Sequence, residues 1–165
     1  MEENRYYSPT TEEFAALPGY PSEERFQKGP VAVIECNQNI PCNPCENICP
    51  KQAIQVGKPI TNLPEIKENI CVGCGMCVAA CPGQAIFVVD MTYSETTALV
   101  AFPYEYVPIP EVNEIKNVVD RNGKIIGTGT INKIMAPKSF DHTNVVWVEV
   151  AKDIAREVHS IEIRK

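Results

Sequence analysis

The chain has 165 residues, 44% apolar and 22% charged, the proportions of a soluble globular protein of one ordinary or two small domains rather than a disordered or fibrous one. Residues 1–91 carry 11 acidic and 6 basic side chains and residues 92–165 carry 10 and 9, so the net charge of -6 divides as -5 and -1; neither part offers the basic surface that nucleic acid requires. No apolar run approaches the roughly 20 residues of a membrane-spanning helix, and the start at Met1, Glu2 and Glu3 has no secretory-signal pattern, so no membrane span and a cytoplasmic location are expected.

Residues 1–29 read as an N-terminal arm. A short helix is predicted near residues 11–16, capped by Thr10 or Thr11, within a largely extended segment. Tyr6, Tyr7, Phe14 and Tyr20 favour an arm laid across a partner or across the rest of the chain, because aromatics are rare in segments that stay disordered. Residues 31–35 are mostly β-branched, follow Gly29 and Pro30, and read as a strand leading into the first cysteine.

All eight cysteines fall between Cys36 and Cys81. An even count admits a disulfide framework, which a reducing compartment disfavours. The spacing carries more information. Cys71, Cys74, Cys77 and Cys81, followed by Pro82, form a C-x2-C-x2-C-x3-C-P run. Cys36, Cys42, Cys45 and Cys49, followed by Pro50, form the same run with three extra residues after its first cysteine. At an offset of 32 residues Cys42, Cys45, Cys49 and Pro50 fall on Cys74, Cys77, Cys81 and Pro82, and Gln52, Ala53 and Ile54 fall on Gln84, Ala85 and Ile86. The unit is therefore duplicated. Zinc ribbons also pair cysteines at short spacing, usually with a longer loop between pairs, so a structural zinc-binding interaction module is the competing reading from another class.

Residues 30–91 resemble the bacterial two-cluster 4Fe-4S ferredoxin family. The resemblance implies an α+β fold: a ferredoxin-like, duplicated two-cluster module whose outer strands, at 31–35 and 86–90, pair antiparallel, with a small helix beginning near the third cysteine of each run. It implies two [4Fe-4S] clusters in which the fourth cysteine of each run ligates the other cluster. One cluster then takes Cys36, Cys42, Cys45 and Cys81, the other Cys71, Cys74, Cys77 and Cys49. Five residues separate Cys36 from Cys42 where the family has two; Pro41 and Pro44 restrict that loop, and the alternatives at that corner are a three-iron cluster or a different ligand. Pro50 and Pro82 send the chain away from each cluster, while Gly73 and Gly75 let backbone approach it. Ile40, Ile48, Ile54, Ile70, Val72 and Ile86 are expected to form an apolar shell that limits water access.

Residues 92–165 lack cysteine and read as a β-rich docking domain with a small β-barrel-like fold. A strand is predicted at 97–104, then a hairpin of 118–120 and 124–135 with Asn122 and Gly123 in its turn. Next come a strand at 144–150 carrying Trp147, a short helix over 151–159 with Ile154 and Val158 on one face, and a closing strand at 160–165. Ile125, Ile131, Val145, Trp147 and Val150 are its expected core. His142 and His159 read as surface or turn residues rather than ligands. No phosphate loop, dinucleotide fingerprint or nucleophile motif occurs, so no catalytic site is expected. The expected function is that of an iron-sulfur subunit relaying single electrons between a flavin or other redox site of a partner dehydrogenase and a further acceptor. The layout is similar to small ferredoxin-like subunits accompanying flavin-dependent amino-acid dehydrogenases in anaerobes, which implies flavoprotein partners in a hetero-oligomer. The alternative within electron transfer is a free-standing ferredoxin shuttle.

Overall fold

The computed structural model describes residues 8–163; Tyr6 and Tyr7 of the arm and Arg164 and Lys165 of the expected closing strand lie outside them. Helix α1 (Thr11–Ala15) begins where its cap predicts. The Thr10 hydroxyl accepts the Glu13 N–H at 3.3 Å and the Glu13 carboxylate accepts the Thr10 N–H at 2.7 Å, which satisfies two otherwise orphaned donors reciprocally. A second turn, α2 (Glu23–Phe26), is not anticipated above; its cap is Ser22, whose hydroxyl accepts the Arg25 N–H at 3.2 Å. The described part of the arm, residues 8–29, is thus folded rather than extended, and Phe14, Tyr20 and Phe26 are buried in the core.

The 32-residue offset recurs in the positions of several elements. After β1 (Val31–Ile34), α3 (Pro44–Ile48) is followed by the short strands β2 (Ile54–Gln55) and β3 (Glu65–Ile66); α4 (Met76–Ala80) is followed by β4 (Ile86–Asp90). The two helices start 32 residues apart, as do β2 and β4. So do Gln52 and Gln84, both with positive φ, at 53° and 51°. Strands β1 and β4 pair antiparallel with Val31 opposite Val89 and Ile34 opposite Ile86.

Beyond Asp90 the chain continues the same sheet. Strands β5 (Thr97–Tyr104), β6 (Ile115–Val119), β7 (Ile125–Met135), β8 (Asn144–Ala151) and β9 (Ser160–Ile161) join β1 and β4 in the order β1-β4-β5-β8-β7-β6-β9, every neighbouring pair antiparallel. The barrel-like expectation for residues 92–165 differs from this outcome: the sheet is open, with β1 and β9 at its edges among the described residues. The physical reason is that β5 gives one side to β8 and the other to β4, so no strand of this part is left to curl back on its own first strand. The helix expected over 151–159 is likewise reduced to one 3-10 turn, Ala155–Glu157. Strand β8 holds the chain extended through Ala151 opposite Thr97, and the His159 N–H is already donated to Val119 O at 2.9 Å. Of the expected core, Ile131, Val145, Trp147 and Val150 are buried, whereas Ile125, beside the hairpin turn, is exposed.

Strands β1 and β4 are buried on both faces, which is why they lack the alternation of a half-buried strand. Ala32, Ile34 and Ile86 look toward the cysteines; Val33, Glu35, Phe87 and Val89 look toward Tyr20 of the arm and the Ala155–Glu157 turn. The outward N–H groups of β1 are also taken, Ile34 donating to Gly19 O at 3.0 Å and Ala32 to Cys71 Sγ at 3.4 Å. Among the described residues no helix is long and apolar enough to cross a membrane.

Candidate iron-sulfur centres

Each cysteine run is built by the same local geometry. Cys49 and Cys81 close α3 and α4 with nearly equal extended dihedrals, φ -70° and ψ 110° against φ -75° and ψ 111°, the conformation that a following proline enforces. The chain then turns at Gln52 or Gln84 and returns an amide to the thiol it has just left. Ala53 N–H donates to Cys49 Sγ at 3.2 Å, and Ala85 N–H donates to Cys81 Sγ at 3.4 Å. Such N–H···S bonds orient the sulfur and stabilise negative charge on it.

The eight thiols, all free, separate into two cavities. One, with about 350 Å³ of empty space, is lined by Cys49, Cys71, Cys74 and Cys77; the other, about 390 Å³, by Cys36, Cys42, Cys45 and Cys81. Each cavity draws three cysteines from one run and one from the other. Within each quartet the thiols line the wall of a space rather than meeting at a point: among the described residues no three His, Cys, Asp or Glu side chains are arranged to hold a single metal ion.

Burial is the leading influence on three of these thiols, Cys77, Cys45 and Cys36. It pushes the Cys77 thiol well up, with further upward contributions from Cys71, Cys74 and Cys49 of its own cavity. It raises Cys45 to about 11, helped by Cys81 and Cys42, and raises Cys36 in the same sense. A cationic centre that binds thiolate would displace the protons of these three thiols. The chemistry of the donor set therefore fits an iron-sulfur core.

Gly73 and Gly75 shape the loop of the first cavity, and the close approach they allow is to protein. Gly73, at φ +62°, lies against Pro30, where a Cβ would stand 2.6 Å from the proline's own Cβ; Gly75, at φ +81°, faces Trp147 of β8. The expected apolar shell is only partly realised. Ile54 and Ile86 are buried and Ile48 partly so, but Ile40, Ile70 and Val72 are 46%, 46% and 51% exposed. Ile40 and Val72 line the two cavities, so each has an apolar lip facing water.

His142 is an exposed turn residue, as expected. His159 is not on the surface. Its Nε2 lies 2.7 Å from Glu35 Oε2, while Glu35 Oε1 accepts from Arg121 Nη2 at 2.9 Å. Arg121 also donates to Pro9 O at 2.9 Å and stacks on Phe14. This group ties the residue before Cys36 to the arm and to the last strands. It joins positions 86 and 124 residues apart, a separation over which no local pattern operates.

Residues 35–92 match the family model of the LdpA Fe-S cluster-binding domain. Among curated proteins the chain is 31% identical to Protein Pixie of Drosophila melanogaster over 110 residues, 57% of this chain and 17% of that protein. It is 32% identical over 78 residues to an uncharacterized ferredoxin of Methanocaldococcus jannaschii, covering 42% of this chain and 45% of the relative. It is 38% identical over 55 residues to the polyferredoxin-like subunit of an aliphatic sulfonate oxidoreductase of Pyrococcus furiosus, covering 33% and 29%. The chain thus spans less than half the length of each of these relatives. Its cysteine-bearing segment is of the iron-sulfur, ferredoxin-like kind, and its cofactor is of the iron-sulfur class.

Proposed function

We propose that the chain is an electron-transfer protein holding two [4Fe-4S] clusters, one on Cys36, Cys42, Cys45 and Cys81 and the other on Cys71, Cys74, Cys77 and Cys49. The observation that carries this reading is the sorting of eight thiols into two cavities of four, three plus one, from the two runs. A bound cluster supplies reversible one-electron chemistry. The chain's own groups do the rest: eight thiolates bind, Ala32, Ala53 and Ala85 amides hold sulfur atoms in place, and Ile54 and Ile86 exclude water. One electron enters from a reduced flavin or other donor and one leaves to an acceptor, with no bond made or broken in the protein.

The proposed setting is a cytoplasmic oxidoreductase complex of anaerobic metabolism with flavoprotein dehydrogenase subunits. Its support is the acidic excess of residues 1–91, which steers encounter toward basic surfaces, and the exposed apolar lips Ile40 and Val72 at the two cavities. The polyferredoxin-like subunit among its relatives points the same way. A free shuttle would not remain with flavoproteins through sizing of native material; a subunit would.

Anaerobically purified protein is expected to contain about eight iron and eight acid-labile sulfide per chain. Colourless protein carrying zinc would end the electron-transfer reading, and about four iron would leave the Cys36 quartet incomplete. Crossed ligation makes a sharper claim: Cys49→Ser should alter the paramagnetic spectrum of the cluster on Cys71, Cys74 and Cys77, although Cys49 belongs to the first run. A change confined to the cluster of Cys36, Cys42 and Cys45 would refute the crossing.

A further inference from the structure

Arg25 is only 6% exposed, and its guanidinium is charged at any pH a protein survives. It donates four hydrogen bonds, all to backbone carbonyls: Nε to Glu68 O at 2.7 Å, Nη1 to Gly29 O at 2.9 Å, and Nη2 to Pro30 O at 2.9 Å and Cys71 O at 2.8 Å. Carbonyls take four of the guanidinium's five N–H donors but bring no opposite charge. The other described arginines each meet a carboxylate, Arg121 at Glu35 and Arg156 at Glu23, whereas no described carboxylate lies within 4.0 Å of Arg25. The Glu68 side chain is turned to the Ser22 N–H and hydroxyl, at 2.7 and 2.8 Å.

A buried charge without an opposite charge is costly. The cavity beside Arg25 gathers four thiols, which are anionic once they bind a metal. Cys71, whose carbonyl Arg25 grips, presents its thiol to the first cavity with Cys49, Cys74 and Cys77. The Pro30 carbonyl in the same grip backs onto Gly73 of that loop, with no room for a side chain between. Guanidinium, turn and cysteine loop form one packed block. Lys51 also borders this cavity, from the solvent side, whereas neither arginine nor lysine lines the second cavity.

We infer that Arg25 is the built-in counter-charge of the cluster on Cys49, Cys71, Cys74 and Cys77, and that it raises the reduction potential of that cluster alone. The inference rests on the cluster reading above. A thiolate-ligated cluster is a net anion that gains one more negative charge when it accepts one electron. A fixed cation in water-poor surroundings favours the more negative state. Arg25 therefore shifts electron occupancy toward this cluster.

The test is an anaerobic redox titration with dithionite, followed by paramagnetic resonance, on the full chain and its Arg25→Gln and Arg25→Lys variants, the two clusters being told apart by the Cys49→Ser spectrum. Arg25→Gln should lower the equilibrium constant for reducing the Cys71 cluster about tenfold, a shift of about 59 mV for one electron, and leave the other cluster unmoved. Arg25→Lys, which keeps the charge and loses the fork, should stay close to the unmodified chain. Unchanged potentials in Arg25→Gln, or an equal shift in Arg25→Lys, would overturn the assignment. Should Arg25→Gln not load, the nitrogen-labelled, unmodified holoprotein decides: Arg25 guanidinium protons should be strongly shifted or broadened when the Cys71 cluster is reduced, and signals that stay in place would overturn it equally. A chain without iron would remove the cluster reading instead, so the two failures are distinct.

Discussion

A chain ending at Asp90 is expected to lose its folded cluster module, even though it retains all eight cysteines. Strand β4 would keep β1 but lose β5, which pairs with it from Val88 opposite Ala101 to Asp90 opposite Leu99. Helix α4, which carries Cys77, packs on β5, β8 and the Lys138–Phe140 turn as well as on β4. Val78, Ile86, Phe87, Val88 and Val89 are buried in the whole chain. Full exposure costs about 1.5–3 kcal/mol for each such side chain, so half-exposing the five forfeits on the order of 5 kcal/mol, as much as many domains possess. Glu35 would also lose Arg121 and His159. The measurement is iron per chain and visible absorption after anaerobic reconstitution of residues 1–90; eight iron in a soluble product would show that the module stands alone.

The second large effect is expected at Glu35. Glu35→Ala leaves the Arg121 guanidinium in a site where its side chain is only 12% exposed, without its carboxylate. Breaking a buried pair from one side costs about 3–5 kcal/mol. Because Arg121 also holds Pro9 O and lies over Phe14, the arm should loosen with it. Denaturant unfolding of the holoprotein should show the loss as a lower midpoint with little change in slope. A double replacement, Glu35→Leu with Arg121→Met, removes both charges and should recover most of the stability, since a buried pair exchanged for apolar volume is close to neutral. Equal destabilisation by the single and double replacements would mean that packing, and not charge, is what the site supplies.

Much of the fold is legible because its signals are local. The Thr10 cap, the prolines after Cys49 and Cys81, the 32-residue offset and the β-branched runs of β4, β5 and β8 each act within a few residues of where they are read. The three-plus-one sorting of the thiols is what the resemblance to two-cluster ferredoxins implies; the spacing within each run does not give it. What is not legible depends on what lies across the sheet. Ile40, Ile70 and Val72 carry the composition of a shell, yet all three are exposed, Ile40 and Val72 at the lips of the cavities. The 151–159 stretch has helical spacing in Ile154 and Val158, but strand pairing on both sides leaves it only a single turn. Arg25 and His159 resemble surface residues in a one-dimensional reading, and only the folded arm and the last strands bury them. The boundary expected between residues 91 and 92 is crossed by the sheet because β4 and β5 are adjacent in space as in sequence.

The edge strand β1 has one more consequence. An unpaired strand edge is a template on which a second chain can grow a sheet, and here both outward donors are already given away, one to Gly19 of the arm and one to the Cys71 sulfur. At the far edge, β9 is two residues long, too short to seed a ladder. Half of the protection of β1 thus comes from a cysteine sulfur and half from the arm. Cys71→Ala should therefore release the Ala32 amide and turn a sealed margin into a polymerisation face, so that the variant chains self-associate through their strands while unmodified chains stay separate.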